Sequence, residues 1–494
     1  MALVHGDRRV TFAELADRAA RVARVVAETV PPQGRIAAIG PNHTGWVDLY
    51  YGVPAAGRQL VFLNHRLSGP ELAALVDRSR ASVVVGDPRH LARLGDAGVD
   101  LPMLDWAALD DARSAATGGP FPVADRLDPD DPVWLLFTSG TTAAPKGATL
   151  THASLLAGVQ ASVAARLVLS DDVYLFPFPL CHIAGYSVIH RHTAARPVVL
   201  VDGFEPRGYC AAAEAERATS TSVAATMLAS LLDHVDAEPP ALAQLSTLRS
   251  VAYGAAPMAP SLMRRAVDTL GVELTQGYGM TELSGNAVFL DPETHRRGLA
   301  GEEHLLRAAG RPAPGVEVQV ADADDRALAI GEVGEILVRA PQVMAGYLDD
   351  ADATAVALRG GWLHTGDVGR FDDEGLLYVV DRSKDIIITG GENVSSREVE
   401  DVLLTAPGVS RVAVVGVPDP TWGENVCAVV VPTPDGSFDP AALVATARAQ
   451  LAGFKVPRHV VVTEALPVNA AGKVVKAELR GWLADDPARL GPRR

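Results

Sequence analysis

Short apolar runs rich in β-branched residues alternate with helical patterns over the first 275 residues, and this alternation limits the fold more than any other feature. The stretch FAELADRAARVARVVAE repeats its apolar residues with the period of a helix, whereas RIAAIG, QLVFLN and SVVVGD are brief apolar runs that end at Gly, Asn or Asp. Strands that alternate with helices form sheets covered on both faces. We therefore predict an α/β fold with doubly wound mixed sheets.

Two changes of pattern divide the rest of the chain. GVEVQVADADDRALAIGEVGEILVRAP has closely spaced strand patterns and acidic turns without a helix, which predicts a small β-barrel-like piece. A second change comes near residue 382, where a small α+β unit begins. We expect a large N-terminal domain over residues 1–382 and a small C-terminal domain over residues 383–494.

Net charge and cysteine content exclude several classes of protein. The formal charge is −16, whereas a sequence-independent grip on nucleic acid needs a basic surface. Cys181, Cys210 and Cys427 form no CxxC pair, which argues against a disulfide framework or a zinc site. No signal peptide is visible, and no apolar run reaches the roughly 18 residues of a membrane span. We expect a cytoplasmic protein without a transmembrane segment.

The stretch FTSGTTAAPKGATLTH, residues 137–152, combines hydroxyl groups, glycines and one lysine. It follows an apolar strand pattern and precedes a helical pattern, so residues 138–147 are predicted to form a loop between a strand and a helix. Backbone N–H groups in such a loop bind anions. A Walker A loop is excluded, because Pro145 and Gly147 flank Lys146 where that motif has Gly and Ser or Thr. The composition predicts a polyphosphate site.

TSGTTAAPKG resembles the phosphate loop of the adenylate-forming superfamily, which includes acyl-CoA synthetases, luciferases and peptide-synthetase adenylation domains. Further segments match this family in order: YGAAPM, QGYGMTE, GWLHTGD, DRSKDIIITGGEN and LPVNAAGKV. Together they span residues 138–473. Two positions depart from the family pattern, with Ala143 where Gly is usual and Ser396 where Pro is frequent. The Ser is expected to loosen its loop.

The resemblance implies a role for each matching residue. Tyr278 would stack on adenine, Asp367 would accept hydrogen bonds from the ribose, and Lys384 would lie at the hinge of a mobile C-terminal domain. Catalytic roles fall to Lys473, Glu282, Thr281 and His182, with Glu282 and Thr141 as ligands of Mg²⁺. Cofactor-binding roles fall to Thr138, Ser139, Gly140, Thr141, Thr142, Lys146, Gly254, Ala255, Ala256, Pro257, Gln276, Gly277, Tyr278, Gly279, Met280, Asp367, Val379, Arg382, Lys384, Gly390, Gly391 and Glu392.

The family reaction joins AMP from ATP to a carboxylic acid, releases pyrophosphate, and then transfers the acyl group to coenzyme A. The residues expected to line the acyl pocket, such as AATML (224–228), Gly277 and Gly279, are small or apolar. A hydrophobic monocarboxylate is therefore expected, either fatty, aryl or polycyclic, and a second carboxylate is disfavoured. His182 is expected near the reacting carboxylate, with a core histidine as the alternative.

Several alternatives stay open at this point. The polar segment VIHRHTAAR (188–196) is interpreted as a surface helix, with a subunit contact of a homodimer or a specialised pocket wall as alternatives. Coenzyme A is the expected acceptor, because the Asp typical of amino-acid-activating domains is missing before Asp233. The alternatives are an enzyme that loads a carrier protein and a non-catalytic nucleotide-binding relative. Retention of Glu282, Asp367, Arg382 and Lys473 argues against the latter.

Overall fold

The structure is a computed structural model that describes residues 1–119, 127–138, 145–166, 168–254, 258–389, 392–420, 422–434, 436, 438–469 and 473–490. The chain forms two compact units. The first comprises Met1–Val318 and Val338–Leu363, and the second comprises Gln319–Leu337 and His364–Arg494. The functional domain boundary after residue 382 stays a prediction.

The strands follow in chain order: β1 (Leu3–His5), β2 (Arg8–Val10), β3 (Arg35–Ile39), β4 (Gln59–Leu63), β5 (Val83–Gly86), β6 (Met103–Asp105), β7 (Pro132–Thr138), β8 (Lys146–Thr151), β9 (Tyr174–Phe176), β10 (Val198–Leu200), β11 (Ser220–Val223), β12 (Ser250–Gly254), β13 (Glu273–Met280), β14 (Gly285–Leu290), β15 (Arg311–Pro312), β16 (Glu317–Ala321), β17 (Gly334–Arg339), β18 (Gly346–Tyr347), β19 (Leu363–Phe371), β20 (Leu377–Arg382), β21 (Ile387–Thr389), β22 (Glu392–Val394), β23 (Val409–Asp419), β24 (Gly423–Pro432) and β25 (His459–Val462).

The α-helices are α1 (Phe12–Thr29), α2 (Thr44–Ala55), α3 (Gly69–Ser79), α4 (Pro88–Asp96), α5 (Trp106–Ala115), α6 (His152–Ala165), α7 (Tyr186–Thr193), α8 (Pro206–Glu216), α9 (Ala225–Ala237), α10 (Ala241–Gln244), α11 (Pro260–Leu270), α12 (Pro292–Leu299), α13 (Ala351–Ala357), α14 (Ser396–Leu403), α15 (Pro440–Gln450) and α16 (Lys476–Asp485). Short 3-10 segments lie at Ile183–Gly185, Thr281–Leu283, Glu303–Arg307, Arg359–Gly361, Ser383–Asp385, Gly453–Lys455 and Pro487–Leu490.

The first unit contains two large mixed sheets. One has the order β15-β14-β13-β12-β11-β9-β10-β1-β2, and the other has the order β18-β8-β7-β4-β3-β5-β6. Strands β3, β4, β5 and β7 pair in parallel, and their residues are largely buried, as expected for strands covered on both faces. The predicted α/β architecture with mixed sheets is confirmed. Among the described helices, none has the length and apolar character needed to cross a bilayer.

The second unit is built around long antiparallel strands. Strands β23 and β24 pair along most of their length, and β25 adds in parallel to β24. Alternate residues of β23 point to opposite faces: Val412 and Val414 pack toward α14 and α15, whereas Ala413 and Val415 pack toward α16. This is the predicted small α+β unit. The predicted barrel-like piece is a four-stranded sheet of order β16-β17-β19-β20, and most of its residues belong to the second unit.

A buried ion pair joins the first two helices of the first unit. Arg18 on α1 and Asp48 on α2 are 8% and 1% exposed. The Arg18 guanidinium donates Nε to both carboxylate oxygens of Asp48 and Nη2 to one of them, at 2.6–3.2 Å, and Nη2 also donates to Thr44. A buried charge needs such partners, because removal of one leaves the other uncompensated.

Replacing Asp48 with alanine should lower the free energy of unfolding of the first unit by about 3–5 kcal/mol, because Arg18 would lose its buried partner. Urea unfolding followed by the fluorescence of the buried Trp46 and Trp134 measures the change. The control is Glu238→Gln, which removes the exposed pair with Arg207 and should cost less than about 1 kcal/mol. Equal effects of both substitutions would contradict this account.

Candidate active site

Two antiparallel strands flank the predicted phosphate loop. Strands β7 and β8 are antiparallel, and Thr138 pairs with Lys146 at the ends of the two strands. The prediction of a loop between a strand and a helix is therefore wrong, because a further strand, Lys146–Thr151, precedes the helix. Helix α6 begins after Thr151, whose hydroxyl accepts a hydrogen bond from the N–H of Ser154. The N-terminus of α6 is thus occupied by its own cap.

Some predicted site residues lie outside the described residues, and their roles stay predictions. They are Ser139, Gly140, Thr141, Thr142, Ala255, Ala256, Pro257, Gly390 and Gly391. The departure at Ala143 lies outside the described residues as well.

The segment QGYGMTE forms the end of strand β13 and the 3-10 turn that follows it. Gln276, Gly277, Tyr278, Gly279 and Met280 lie on β13, and Thr281 and Glu282 begin the turn at Thr281–Leu283. The chain then reverses into β14. A Cβ atom on Gly279 would lie 2.0 Å from the carbonyl oxygen of Gly285, and one on Gly277 would lie 2.3 Å from the side chain of Asn286. These glycines permit β14 to approach β13 closely.

Glu282 lies beside the strands that flank the phosphate loop. Its carboxylate accepts hydrogen bonds from the hydroxyl of Thr138 at 3.3 Å and from the hydroxyl of Tyr347 at 3.0 Å. The structure therefore brings two sequence-predicted residues, 144 positions apart, into direct contact. The three side chains present only oxygen atoms, which are the ligands that Mg²⁺ prefers. The donor set fits a single hard cation whose remaining ligands come from phosphate and water.

Tyr347 is a site residue that the sequence analysis missed. It belongs to β18, which pairs with β8 in the register Tyr347–Ala148, and the Lys146 ammonium lies 5.1 Å from the centre of its ring. Burial and the neighbouring Glu282 carboxylate raise the pKa of Tyr347, so its hydroxyl stays protonated and donates. Only the pairing of strands far apart in the chain places this tyrosine at the site.

Strand β12 ends in the predicted adenine-binding turn. Gly254 lies opposite Gly277 on β13, and a Cβ atom on Gly254 would lie 2.6 Å from the carbonyl oxygen of Gly277. The Tyr253 hydroxyl contacts His295 Nε2 at 2.9 Å and Gln276 Oε1 at 3.2 Å. Burial raises the pKa of Tyr253. Gly254 and Gly277 therefore form one face of the sheet at the ends of β12 and β13. On the opposite face, the hydrogen bonds of Tyr253 hold these strand ends in place.

His182 is exposed, which rules out the alternative that it is a core histidine. Its Nδ1 accepts a hydrogen bond from the N–H of Ala184 at 3.1 Å and caps the 3-10 segment before α7. Its predicted role beside the reacting carboxylate stays a prediction.

The segment VIHRHTAAR is not a surface helix. Its helical part belongs to α7, where His190 is 0% exposed and Arg191 is 2% exposed. The neighbouring His192 contacts the Tyr51 hydroxyl at 2.8 Å. A segment with three consecutive charged or titratable residues, His190, Arg191 and His192, is expected to face solvent. Its burial depends on partners from other elements.

The second unit holds the remaining predicted residues. Asp367 on β19 lies opposite Arg382 on β20, and Arg382 Nε is 2.6 Å from Asp367 Oδ1. Asp367 is 4% exposed, whereas Arg382 is exposed. Val379 lies opposite Gly369 in the same pair of strands. Lys384 and Glu392 are exposed, in the 3-10 segment after β20 and at the start of β22.

Lys473 is hydrogen-bonded to Asn469 and precedes α16. The N–H of Asn469 donates to the carbonyl of Lys473 at 2.8 Å, and the Asn469 side chain accepts from the N–H of Lys473 at 3.0 Å. Val468 and Val474 form a β-bridge beside it. The Lys473 residue is exposed, and these backbone contacts hold its main chain.

Ser396 is bound rather than loosened. Its residue is 0% exposed, its hydroxyl donates to Asp381 Oδ2 at 2.7 Å, and it accepts a hydrogen bond from Lys476 Nζ at 2.6 Å. Lys476 also forms a 2.7 Å ion pair with Glu400. The hydroxyl thus joins the end of β20 to the first residues of α14 and α16, and the expectation of a looser segment is wrong.

Both parts of the chain match family models. A model described as AMP-binding enzyme matches residues 1–348, and one described as AMP-binding enzyme C-terminal domain matches residues 398–473. A feruloyl-CoA synthase from Amycolatopsis is 38% identical over 489 residues, which cover 97% of this chain and 95% of the relative. A 3-[(3aS,4S,7aS)-7a-methyl-1,5-dioxo-octahydro-1H-inden-4-yl]propanoyl:CoA ligase from Mycobacterium tuberculosis is 37% identical over 501 residues, with the same coverage.

A solved structure is similar over nearly the whole length. It is the amide bond synthetase McbA from Marinactinospora thermotolerans, with 35% identity, a TM-score of 0.87, and coverage of 98% of this chain and 96% of that chain. Sequence motifs, sheet architecture and these similarities agree. The chain belongs to the AMP-binding enzyme family, as an adenylate-forming ligase of the acyl-CoA synthetase type.

Proposed function

We propose that this protein activates a predominantly apolar carboxylic acid with ATP and transfers the acyl group to coenzyme A. The observation that supports this most is the contact of Glu282 with Thr138, because it combines a carboxylate with a strand that flanks the phosphate loop. The relatives named as CoA ligases support the choice of acceptor.

The first step forms a bond between a carboxylate oxygen and the α-phosphorus of ATP. The bond from that phosphorus to the bridging oxygen of pyrophosphate breaks, and pyrophosphate leaves with the electron pair. Both reactants are anions, so the site must align them and neutralise their charge. Mg²⁺, when bound, supplies Lewis-acid neutralisation of the phosphates. Glu282 would hold it, with Thr141 as a further predicted ligand.

The protein's own groups take the other roles. Lys146 and the hydroxyl of Thr281 would contact phosphate, and Asp367 with Arg382 would bind the ribose. Tyr347 orients the Glu282 carboxylate through its hydrogen bond. Lys473 would neutralise charge between the substrate carboxylate and the adenylate oxygen. In the second step the sulfur of CoA attacks the acyl carbonyl, AMP leaves, and the thiol proton passes to solvent.

Lys473→Ala should reduce acid-dependent pyrophosphate release by about 100-fold or more, because one preorganised charge at the transition state is lost. Steady-state pyrophosphate release with a saturating acid measures the effect. Lys455→Ala is the matched control, since Lys455 forms an ion pair with Glu398 on the same unit and has no proposed catalytic role. Its rate should stay within about twofold of wild type. Undiminished release by Lys473→Ala would refute the assigned role.

Glu282→Gln should raise the Mg²⁺ concentration required for half-maximal rate, because a neutral amide binds a hard cation more weakly than a carboxylate. Tyr347→Phe should raise it less, by about tenfold, since only the hydrogen bond that orients Glu282 is removed. Titrating Mg²⁺ at fixed ATP measures both. Tyr209→Phe, which alters a tyrosine of α8 buried in the core of the first unit, is the control and should leave the requirement unchanged.

Amide formation is a second candidate, favoured by the similarity to the amide bond synthetase. Acid-dependent ATP–pyrophosphate exchange should be present under either proposal. Products should then be compared by mass spectrometry with CoA, with a phosphopantetheinylated carrier protein and with primary amines as acceptors. We expect the acyl-CoA to form at least tenfold faster than the others. Faster amide or acyl-carrier formation would replace the proposed acceptor, and no exchange with any acid would indicate a non-catalytic relative.

A further inference from the structure

A group of buried polar residues lies where helices α6 and α7 face the first sheet. We call it the distal polar cluster and define it as Arg166, Asp172, Tyr174, His190, Arg191 and Ser222. All of these except Ser222 are less than 10% exposed. None of them has a role in the reaction steps described under the proposed function.

Part of the cluster is held by a charge pair, although Arg191 Nε, Arg191 Nη1 and Asp172 Oδ2 form no hydrogen bond among the described residues. Arg191 Nη1 lies 3.1 Å from Asp172 Oδ2, and the Arg191 guanidinium lies 4.5 Å from the centre of the Tyr174 ring. Asp172 also accepts a hydrogen bond from the Thr219 hydroxyl at 2.7 Å. Tyr174 donates to the Ser222 hydroxyl at 2.8 Å. Arg191 therefore has a counter-charge and an aromatic neighbour.

His190 and Arg166 lack comparable partners. Both ring nitrogens of His190 are buried and have no hydrogen-bond partner among the described residues. Among the described residues, the Arg166 side chain has one hydrogen bond, a 3.4 Å contact from Nη2 to the Ser222 hydroxyl. Burial, with Arg166 and Arg191 nearby, lowers the pKa of His190 to about 2, so its ring is neutral. Buried polar groups without partners are costly, and they commonly mark a bound water or ligand.

The cluster carries an excess of positive charge. Arg166 and Arg191 contribute two cations, and Asp172 contributes one anion. The other titratable groups that face Arg191 are the hydroxyls of Tyr174 and Tyr186. A buried cation without a counter-ion is unfavourable. The excess charge therefore favours an acceptor or anionic group beside Arg166.

Helices α6 and α7 contact each other next to the distal polar cluster. The Ser162 hydroxyl donates to the Tyr186 hydroxyl at 3.1 Å. Four residues later, His190 lies on the same face of α7 as Tyr186, whereas Arg166 is the residue that caps the C-terminus of α6, where the backbone becomes extended. The Tyr186 ring lies against Gly285, where a Cβ atom would be 3.0 Å away. The two helices therefore connect the cluster with the β13–β14 turn that carries Glu282.

The sheet below these helices has a continuous face of small residues. Strand register places Ser222 beside Ala252 and Ala252 beside Thr275, and two residues further on Gly254 lies beside Gly277. Side chains two residues apart on a strand point to the same face. The contact of Arg166 with Ser222 identifies this face as the one below α6. Small residues thus extend from the glycine strand ends to the distal polar cluster.

The distance along this face suits a single organic acid. Ser222 lies two strands across and about two residues back from Gly277, which corresponds to about 12 Å at normal strand spacing and rise. The glycine ends adjoin the segment with Glu282, so an acid activated there would extend its far end toward Arg166 and His190.

We propose that Arg166 and His190 form a distal specificity site that selects acids with a hydrogen-bond-accepting oxygen at the end remote from the reacting carboxyl group. The body of the acid is apolar, in keeping with Ala252, Gly254 and Gly277. A distal carboxylate binds best, because Arg166 forms no ion pair within the described part of the chain. This inference rests on the proposed function and specifies its substrate class. A second carboxylate was expected to be disfavoured because the predicted pocket lining contained no cation. With Arg166 in the lining, a second carboxylate would have a counter-charge.

Pairs of acids that differ only at the far end test the proposal in the wild-type enzyme. 4-Carboxycinnamate is compared with 4-isopropylcinnamate, and 4-hydroxycinnamate with 4-methylcinnamate, by kcat/KM for pyrophosphate release. The oxygenated member of each pair should be preferred at least tenfold. Equal use of both members would overturn the proposal, and it would show that water alone satisfies His190 and Arg166. No release with any acid would instead refute the proposed function.

Variants then locate the preference. Arg166→Met and His190→Phe should reduce the ratio of kcat/KM within each pair toward one while retaining activity on the apolar member. Arg166→Lys should keep part of the preference for 4-carboxycinnamate because it keeps the charge. Val163→Ala, at an exposed position of the same helix, is the control and should leave each ratio unchanged.

Ratios measured within one variant are independent of the fraction of folded protein, so partial unfolding does not obscure the result. An unchanged preference in both Arg166→Met and His190→Phe would contradict the assignment to these residues. If neither variant can be purified folded, the wild-type ratios alone decide whether a distal oxygen is recognised.

Discussion

The close approach of strands β13 and β14 is the constraint on which the candidate site depends. A side chain on Gly277 or Gly279 would collide with the partner strand β14. The chain therefore reverses tightly after β13, and Glu282 emerges from that reversal beside Thr138. A carboxylate placed in this way would suit an enzyme whose substrates are anions, because the cation proposed to bind there would neutralise their charge at one position.

Charge neutralisation by a few local groups is what the net negative charge of the whole chain requires. A protein with a net charge of −16 repels ATP and a carboxylate at long range, and only short-range groups overcome that repulsion. The groups proposed for this purpose are few: a metal ion on Glu282, Lys146 beside Tyr347, Arg382 and Lys473. The buried cations of the distal polar cluster are likewise proposed to act at short range, on the far end of the acid.

Motif residues with local roles could be predicted from the sequence, and residues with long-range roles could not. The strand and helix alternation predicted the mixed sheets, and QGYGMTE predicted the segment that carries Glu282. The strand after the phosphate loop was missed because Lys146–Thr151 is a short strand whose partners, β7 and β18, lie on either side of it. Tyr347 was missed for the same reason. The burial of His190 and Arg191 depends on Asp172 and Tyr174, which no periodicity within α7 reveals.

The bonding of Ser396 has a consequence for exchanging parts between members of this family. Its hydroxyl connects Asp381, next to the ribose-binding candidate Arg382, with Lys476, three residues beyond Lys473. A chimaera with a foreign C-terminal segment from Leu466 onward would replace Lys476. The segment that carries the lysine at position 473 would then lose its contact with Ser396. A graft that includes residues 381–400 together with the C-terminal segment would keep this contact. The proposed catalytic lysine would then be transferred with the residues that position its segment.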